Sequence, residues 1–285
     1  MTAADPRYVE ARRVLLDALD VLSPHLDAVV LAGAQAVYLR AGPNSLPVAD
    51  YTTDGDLALN PAILLDQPVL ETTMKDAGFK LAVKEGSAEP GLWVVETSVD
   101  GVPMPVGVDL IVPDALSQRP GRRGALLPPH GKRAARRVVG LEAALVDNDV
   151  MTIKPLDPSD SRSRSVKVAS VAALIVAKVH KIADRLASER EERQKDKDAA
   201  DVVRLMQAEA VASIASSLSA LASDTIAGAT TVEAIETFEK LFGSRAGQGI
   251  AMASRSLRTG VPEERVRALC LAYAAQLREN LTVPR

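Results

Sequence analysis

The chain has 285 residues, 47% hydrophobic and 25% charged, enough apolar content for one large domain or two ordinary ones. Lys and Arg number 34 against 37 Asp and Glu, a net charge of −3, so a nucleic-acid partner would have to be met by a local basic cluster. The single cysteine, Cys270, excludes an internal disulfide and a Cys-rich metal site, and the scattered His25, His130 and His180 form no zinc set.

Aromatic residues are only 3% of the chain, so the core must be built mainly from Ala, Val and Leu. Asp5-Pro6 opens a helix as N-cap and N1, with Val9, Leu15, Leu16, Leu19 and Leu22 at helical spacing up to Ser23-Pro24. A buried strand is predicted over residues 28–31, turned by Gly33 into a helix that runs to Arg40, and a Pro/Gly/Asn loop follows over 42–50. Further strands are predicted over 54–59, 79–83, 92–99 and 106–112, with a helix over 61–77 between the first two. From Val166 onward Ala-rich helical patterns run to the end, broken at Ala227-Gly228, at 243–249 and at Gly260-Val261-Pro262. This order predicts an α+β chain, with a mixed sheet flanked by helices in residues 1–160 and an α-helical domain in 161–285, the boundary falling in 155–164. The first twenty residues carry Asp5, Arg7, Glu10, Arg12, Arg13 and Asp17, which is no signal peptide, and the longest apolar run, 168–177, is about half a membrane span. Both features predict a soluble, cytoplasmic protein with no membrane segment.

The strongest chemical signal is Asp54-Gly55-Asp56 at the start of a strand. At a spacing of two, both carboxylates face the same side, and a divalent cation relieves their repulsion. Asp109 interrupts the apolar strand Val106-Gly107-Val108-Asp109-Leu110-Ile111-Val112, where a buried acid needs a partner or a metal. Two readings stand at this point: a three-acid metal site, or a plain Asp-Gly turn with Asp109 satisfied by the backbone. Upstream, Gly33 lies at a strand-to-helix junction within Leu31-Ala32-Gly33-Ala34-Gln35, and the first helical N–H groups there suit a phosphate.

Gly33-Ala34 with Asp54-Gly55-Asp56 resembles the signature of minimal nucleotidyltransferases of the DNA-polymerase-β-like superfamily. Two departures are visible. Ala34 has no hydroxyl, which leaves phosphate contact to backbone N–H groups or Gln35, and the gap from Gly33 to Asp54 implies an inserted loop. Farther along, Lys178, Lys181 and Arg185 fall within about 60° on one helix, beside the apolar stripe of Ile175, Val179, Ile182 and Leu186. His180 lies off that face and reads as an ordinary helical histidine. Asp198 and Asp201 share a face of the next helix. Taken alone, these are a solvated basic face and dipole-complementing acids. Together they are similar to the C-terminal motifs of AbiE-type toxin nucleotidyltransferases, the group that includes the MenT toxins.

The resemblance covers residues 25–205 and implies a two-lobed monomer, an N-terminal palm with an α-helical C-terminal lobe. It implies Mg²⁺ or Mn²⁺, an NTP substrate, and nucleotide transfer to RNA, the tRNA 3′ end, which blocks translation. By motif, Asp54 and Asp56 would be metal ligands, Lys178 would hold phosphates with Lys181 and Arg185, and Asp198 would complete the cleft; Asp109 is added as the third carboxylate and metal ligand. It also implies a cognate antitoxin and a phosphoacceptor near Asp54, for which Thr52 and Thr53 are the adjacent hydroxyls. Residues 115–141 hold Arg119, Arg122, Arg123, Lys132, Arg133, Arg136 and Arg137 with no acid, a candidate RNA-backbone contact or a solvated loop. The alternatives are transfer to a small molecule or protein, and a non-catalytic binding module on the same fold.

Overall fold

A computed structural model describes residues 4–42, 52–117, 123–188 and 196–282. The chain divides into two compact units: Met1–Gln35, Tyr51–Val138 and Asn148–Val168 form one, and Ala36–Asp50, Val139–Asp147 and Ala169–Arg285 the other.

The first unit is a mixed sheet backed by a helix. Helix α1 (Pro6–Val21) is capped by Asp5, whose carboxylate accepts from the Arg7 N–H at 2.8 Å, and Pro6 occupies the first turn as the sequence predicts. Strand β1 (Val29–Ala32) is buried throughout and passes directly into helix α2 (Gly33–Ala41). Strand β2 (Asp54–Leu59) pairs antiparallel with β1 and parallel with β5 (Val102–Pro113). Between β2 and β5 come helix α3 (Leu70–Asp76) and the antiparallel strands β3 (Lys80–Lys84) and β4 (Ser87–Val99).

The helix predicted over 61–77 shrinks to α3. Asn60 accepts the Ala62 N–H at 3.0 Å in a turn, and Pro68 disfavours helical geometry in its predecessor, so the helix starts only at Leu70. Strands β6 (Arg136–Val138), β7 (Asn148–Ile153) and β8 (Arg164–Ala169) have no counterpart in the sequence reading. They are short, and their alternation is masked by Arg, Asp and Ser. The path across the sheet is β3-β4-β5-β2-β1-β8-β7, and β6, off this path, pairs with β5. Helix α1 covers β5, β2 and β4 with Ala11, Val14, Leu15, Ala18 and Leu19, all at most 1% exposed.

The change to helices comes after Ala169 rather than at Val166. In the second unit α4 (Glu142–Val146) and α5 (Val171–Leu186) are followed by α6 (Lys197–Leu205), α7 (Val211–Ala222), α8 (Gly228–Phe242), α9 (Gln248–Leu257) and α10 (Glu263–Asn280). Ser170 caps α5, accepting the Ala173 N–H at 3.1 Å, and α5 packs against α4, α6, α7 and α8. The core is Ala, Val, Leu and Ile with few rings, as the composition requires. Among the described residues no helix is long and apolar enough to cross a membrane.

Candidate active site

The strand register assembles the acids. In β2, Asp56 lies opposite Ala32 of β1 on one side and opposite Asp109 of β5 on the other; Asp54 lies opposite Gly107. With a side-chain period of two, Asp54, Asp56 and Asp109 share one face of the sheet, and Gly55 takes the other. That opposite face is closed by α1: a Cβ on Gly55 would lie 3.1 Å from Leu15 Cδ1. Exposure falls across the trio, from solvent-exposed Asp54 to Asp56 at 8% and Asp109 at 5%.

Gly33 follows Ala32 and turns β1 into α2 with φ +65°, a conformation that L side chains avoid. A Cβ there would collide with Asp56, with Cγ only 2.6 Å away, so the absent side chain makes room for the carboxylate. The first N–H groups of α2, at Gly33, Ala34 and Gln35, therefore begin beside Asp56.

Gln35 itself does not fit the expected phosphate contact through its side chain. It is fully buried, its Oε1 accepts from Arg12 Nε at 2.8 Å, and its Nε2 donates to the carbonyls of Ala11 and Asp54, each at 3.3 Å. The amide braces β2 against α1, which leaves anion contact at this turn to the backbone.

The acids are not equivalent. Thr52, 1% exposed, donates its hydroxyl to Asp54 Oδ1. That burial removes Thr52 as an accessible phosphoacceptor, whereas Thr53 is half-buried. Asp109 accepts from the Arg136 guanidinium through Oδ2, and its Oδ1 has no hydrogen-bond partner. Burial, and then the negative charge of Asp56, push the Asp109 carboxyl up to about 7; Arg136 opposes this and Asp54 adds to it.

Oxygen donors on one face, one of them orphaned and buried, fit a hard divalent cation in type. Among the described residues no group of three His, Cys, Asp or Glu side chains is gathered as a ready ligand set, and Arg136 already occupies one oxygen of Asp109.

The basic segment is less free than its sequence suggests, because its counter-charges come from elsewhere. Arg136 pairs with Asp109, Arg137 Nε with Asp114 at 2.8 Å, and Arg123 with Glu89 at 3.1 Å. Arg119 and Arg122 lie outside the described residues, as do residues 43–51, where most of the inserted loop falls. Lys132 and Arg133 are solvent-exposed.

In the helical unit, the residues expected to bind substrate are joined to one another. Lys178, 3% exposed, donates to Asp198 Oδ1 at 3.0 Å and Asp201 Oδ2 at 2.7 Å. Arg185 pairs with Asp198, Lys181 Nζ approaches it at 3.8 Å, and Arg204 reaches Asp201 at 2.8 Å. Asp198, in the first turn of α6, and Asp201, one turn on, thus pair with α5 cations, so Asp198 is more than a dipole complement. As placed, Lys178 serves Asp198 and Asp201, and a phosphate would have to displace one of them. His180 is an ordinary helical histidine: it is 8% exposed and its Nε2 lies 2.8 Å from the Thr230 carbonyl.

No family model matches the chain, and no curated relative matches it. Among solved structures it is similar to a crystal structure of a Helicobacter pylori protein described as a candidate nucleotidyltransferase, at 12% identity, 95% coverage of each chain and a TM-score of 0.46. It is also similar to JHP933 from Helicobacter pylori, at 13% identity over 95% of this chain and 94% of that one, with a TM-score of 0.41. At that distance neither neighbour's role transfers to this chain.

Proposed function

We propose that the chain is a metal-dependent nucleotidyltransferase that moves a nucleotide from an NTP to RNA, the tRNA 3′ end, as a translation-blocking toxin of a toxin–antitoxin pair. The observation that carries the transferase reading is the register itself: Asp54, Asp56 and Asp109 share one face of adjacent strands, beside the Gly33 turn and the N-terminus of α2. Asp54 and Asp56 would hold Mg²⁺ or Mn²⁺, with Asp109 as the third acid. When bound, such an ion neutralises triphosphate charge and favours in-line displacement at the α-phosphorus.

The chain's own groups supply the rest. The N–H groups opening α2 bind phosphate oxygens, and the Gly33 turn brings them up to Asp56 without steric hindrance. The acceptor hydroxyl oxygen bonds to the α-phosphorus as the bond to the β-phosphate oxygen breaks, releasing pyrophosphate. Asp109, the third acid on the same face, accepts the hydroxyl proton through a carboxylate oxygen. Positioning and charge neutralisation account for the acceleration, with no covalent enzyme intermediate.

The deciding experiment incubates the protein with Mg²⁺, each labelled NTP in turn and total tRNA, beside Asp56→Ala. Label on tRNA that falls by about a thousandfold or more in the variant is the expected result, since one of three charge-neutralising acids is lost. Label on a protein or small molecule moves the acceptor, and no transfer to any acceptor defeats the reading.

The resemblance implies RNA, whereas the pairing of Arg136 and Arg137 with Asp109 and Asp114 favours a smaller acceptor by removing two cations from the candidate RNA surface. If RNA lies on the basic segment, reversing Arg123, Lys132 and Arg133 to Glu weakens tRNA binding in a filter assay by roughly tenfold or more at low salt and leaves NTP binding intact. Unchanged tRNA affinity removes this surface from consideration.

A further inference from the structure

The carboxylate face contains a cation of the protein's own. Strand β4 pairs with β5 as far as Leu92 opposite Asp109; beyond that point the same edge of β5 is taken over by β6, with Ile111 opposite Arg136. Arg136 therefore stands on the face that carries Asp109 and Ile111, one pleat along, and its guanidinium reaches diagonally back to Asp109 Oδ2.

Its backbone is held firmly. The Gly91 N–H donates to the Arg133 carbonyl at 2.9 Å, and Gly91, at φ +70°, leaves room where a Cβ would strike the Arg136 nitrogen. Its side chain is held loosely by comparison. It is 38% exposed, and its Nε is a buried donor with no partner, while Asp109 is 5% exposed with Oδ1 equally unpartnered. One contact thus joins two groups that each keep an unsatisfied buried atom, an arrangement that costs free energy on both sides. A doubly charged ion offered to Asp54, Asp56 and Asp109 satisfies Oδ1 and outcompetes a singly charged, partly hydrated guanidinium. Arg136 can then turn to solvent without breaking the strand that carries it.

We propose that Arg136 is an exchangeable counter-ion: it neutralises Asp109 while the acid site is empty, and a divalent cation must displace it to bind. The inference rests on the acid face being the cation site of the transferase reading, and it adds that Arg136 sets how much divalent cation is needed to fill that site. Arg136 is thereby a positioning residue for Asp109 rather than a contact for RNA.

The test uses Mn²⁺ alone, without nucleotide, on the full chain, with bound metal counted by electron paramagnetic resonance. Arg136→Gln is expected to tighten Mn²⁺ binding by about tenfold, the equivalent of one charge-assisted pair. In an Asp109→Asn background the same substitution is expected to change nothing further, an outcome that a purely structural role for Arg136 would not produce. Asp56→Asn separates the two ideas. If Asp56→Asn abolishes Mn²⁺ binding while Arg136→Gln leaves it unchanged, the counter-ion inference is overturned and the transferase reading survives. If no Mn²⁺ binding depends on Asp56, both fall. If Arg136→Gln tightens binding equally with and without the Asp109 carboxylate, the exchange at Asp109 is overturned.

Discussion

Gly33→Ala is expected to abolish nucleotide transfer more completely than its single methyl group suggests. At φ +65° an alanine costs about 1–2 kcal/mol of backbone strain. Its Cβ also meets the Asp56 side chain, with Cγ at 2.6 Å and Cβ at 2.8 Å. Asp56 cannot retreat easily, since its strand is clamped between β1 and β5 and backed by Leu15. Either the α2 N-terminus or the carboxylate must therefore shift, and a displacement of about 1 Å in such a constellation costs on the order of a hundredfold in rate. The check is the labelled-NTP assay together with a melting curve. A Gly33→Ala protein that melts normally and transfers at the wild-type rate would show that this turn does not shape the site.

Asp109→Asn is expected to do the reverse for stability: the variant gains it, and gains it only at higher pH. The Asp109 carboxyl lies at about 7 in the folded chain against an ordinary 3.8, because burial and Asp56 disfavour its charge. A raised acid binds more protons folded than unfolded, so its contribution to stability is fully present below the unfolded value and is lost as pH rises through about 7. At pH 8 the ionised Asp109 therefore costs up to about 4 kcal/mol, an upper bound from the separation of the two values. Replacing it with Asn, measured in EDTA, should raise Tm at pH 8 by several degrees, roughly 3–8 °C, and by much less at pH 5. Arg136 does not cancel the gain, since its side chain is 38% exposed and solvates once released. A stabilisation equal at both pH values would refute the assigned cost. The cost is that of burying an acid, and of keeping it beside two others, which a structural role does not require and a cation site does.

Both expectations depend on features that were unequally visible beforehand. The residues of β2 are read correctly from 54 to 59, and Gly33 is placed correctly at the end of β1, because strand alternation and a glycine turn are written in a few neighbouring residues. The 61–77 helix fails for the converse reason: apolar spacing alone does not register a proline at 68 and an Asn turn at 60. Strands β6 and β8 fail because each is paid for by a partner strand and not by its own pattern, Arg136 by Ile111 and Lys167 by Val30.

Local patterning is enough to show an α+β chain whose Asp54 and Asp56 share a face, whose helix opens at Gly33, and whose second part is Ala-rich helix. What those charges do is set by the packing of distant segments. Asp109 joins the pair because β2 and β5 run parallel in one register. Arg136, 27 residues away, answers Asp109 instead of standing free. Gln35 turns inward to Arg12, 23 residues before it, and Lys178 closes on Asp198 and Asp201 at separations of 20 and 23. Periodicity reports which side of its own element a residue takes, whereas a charge is neutralised by whatever the fold brings within hydrogen-bond reach. That choice is made by strand register and helix packing between distant segments, and no local spacing encodes it.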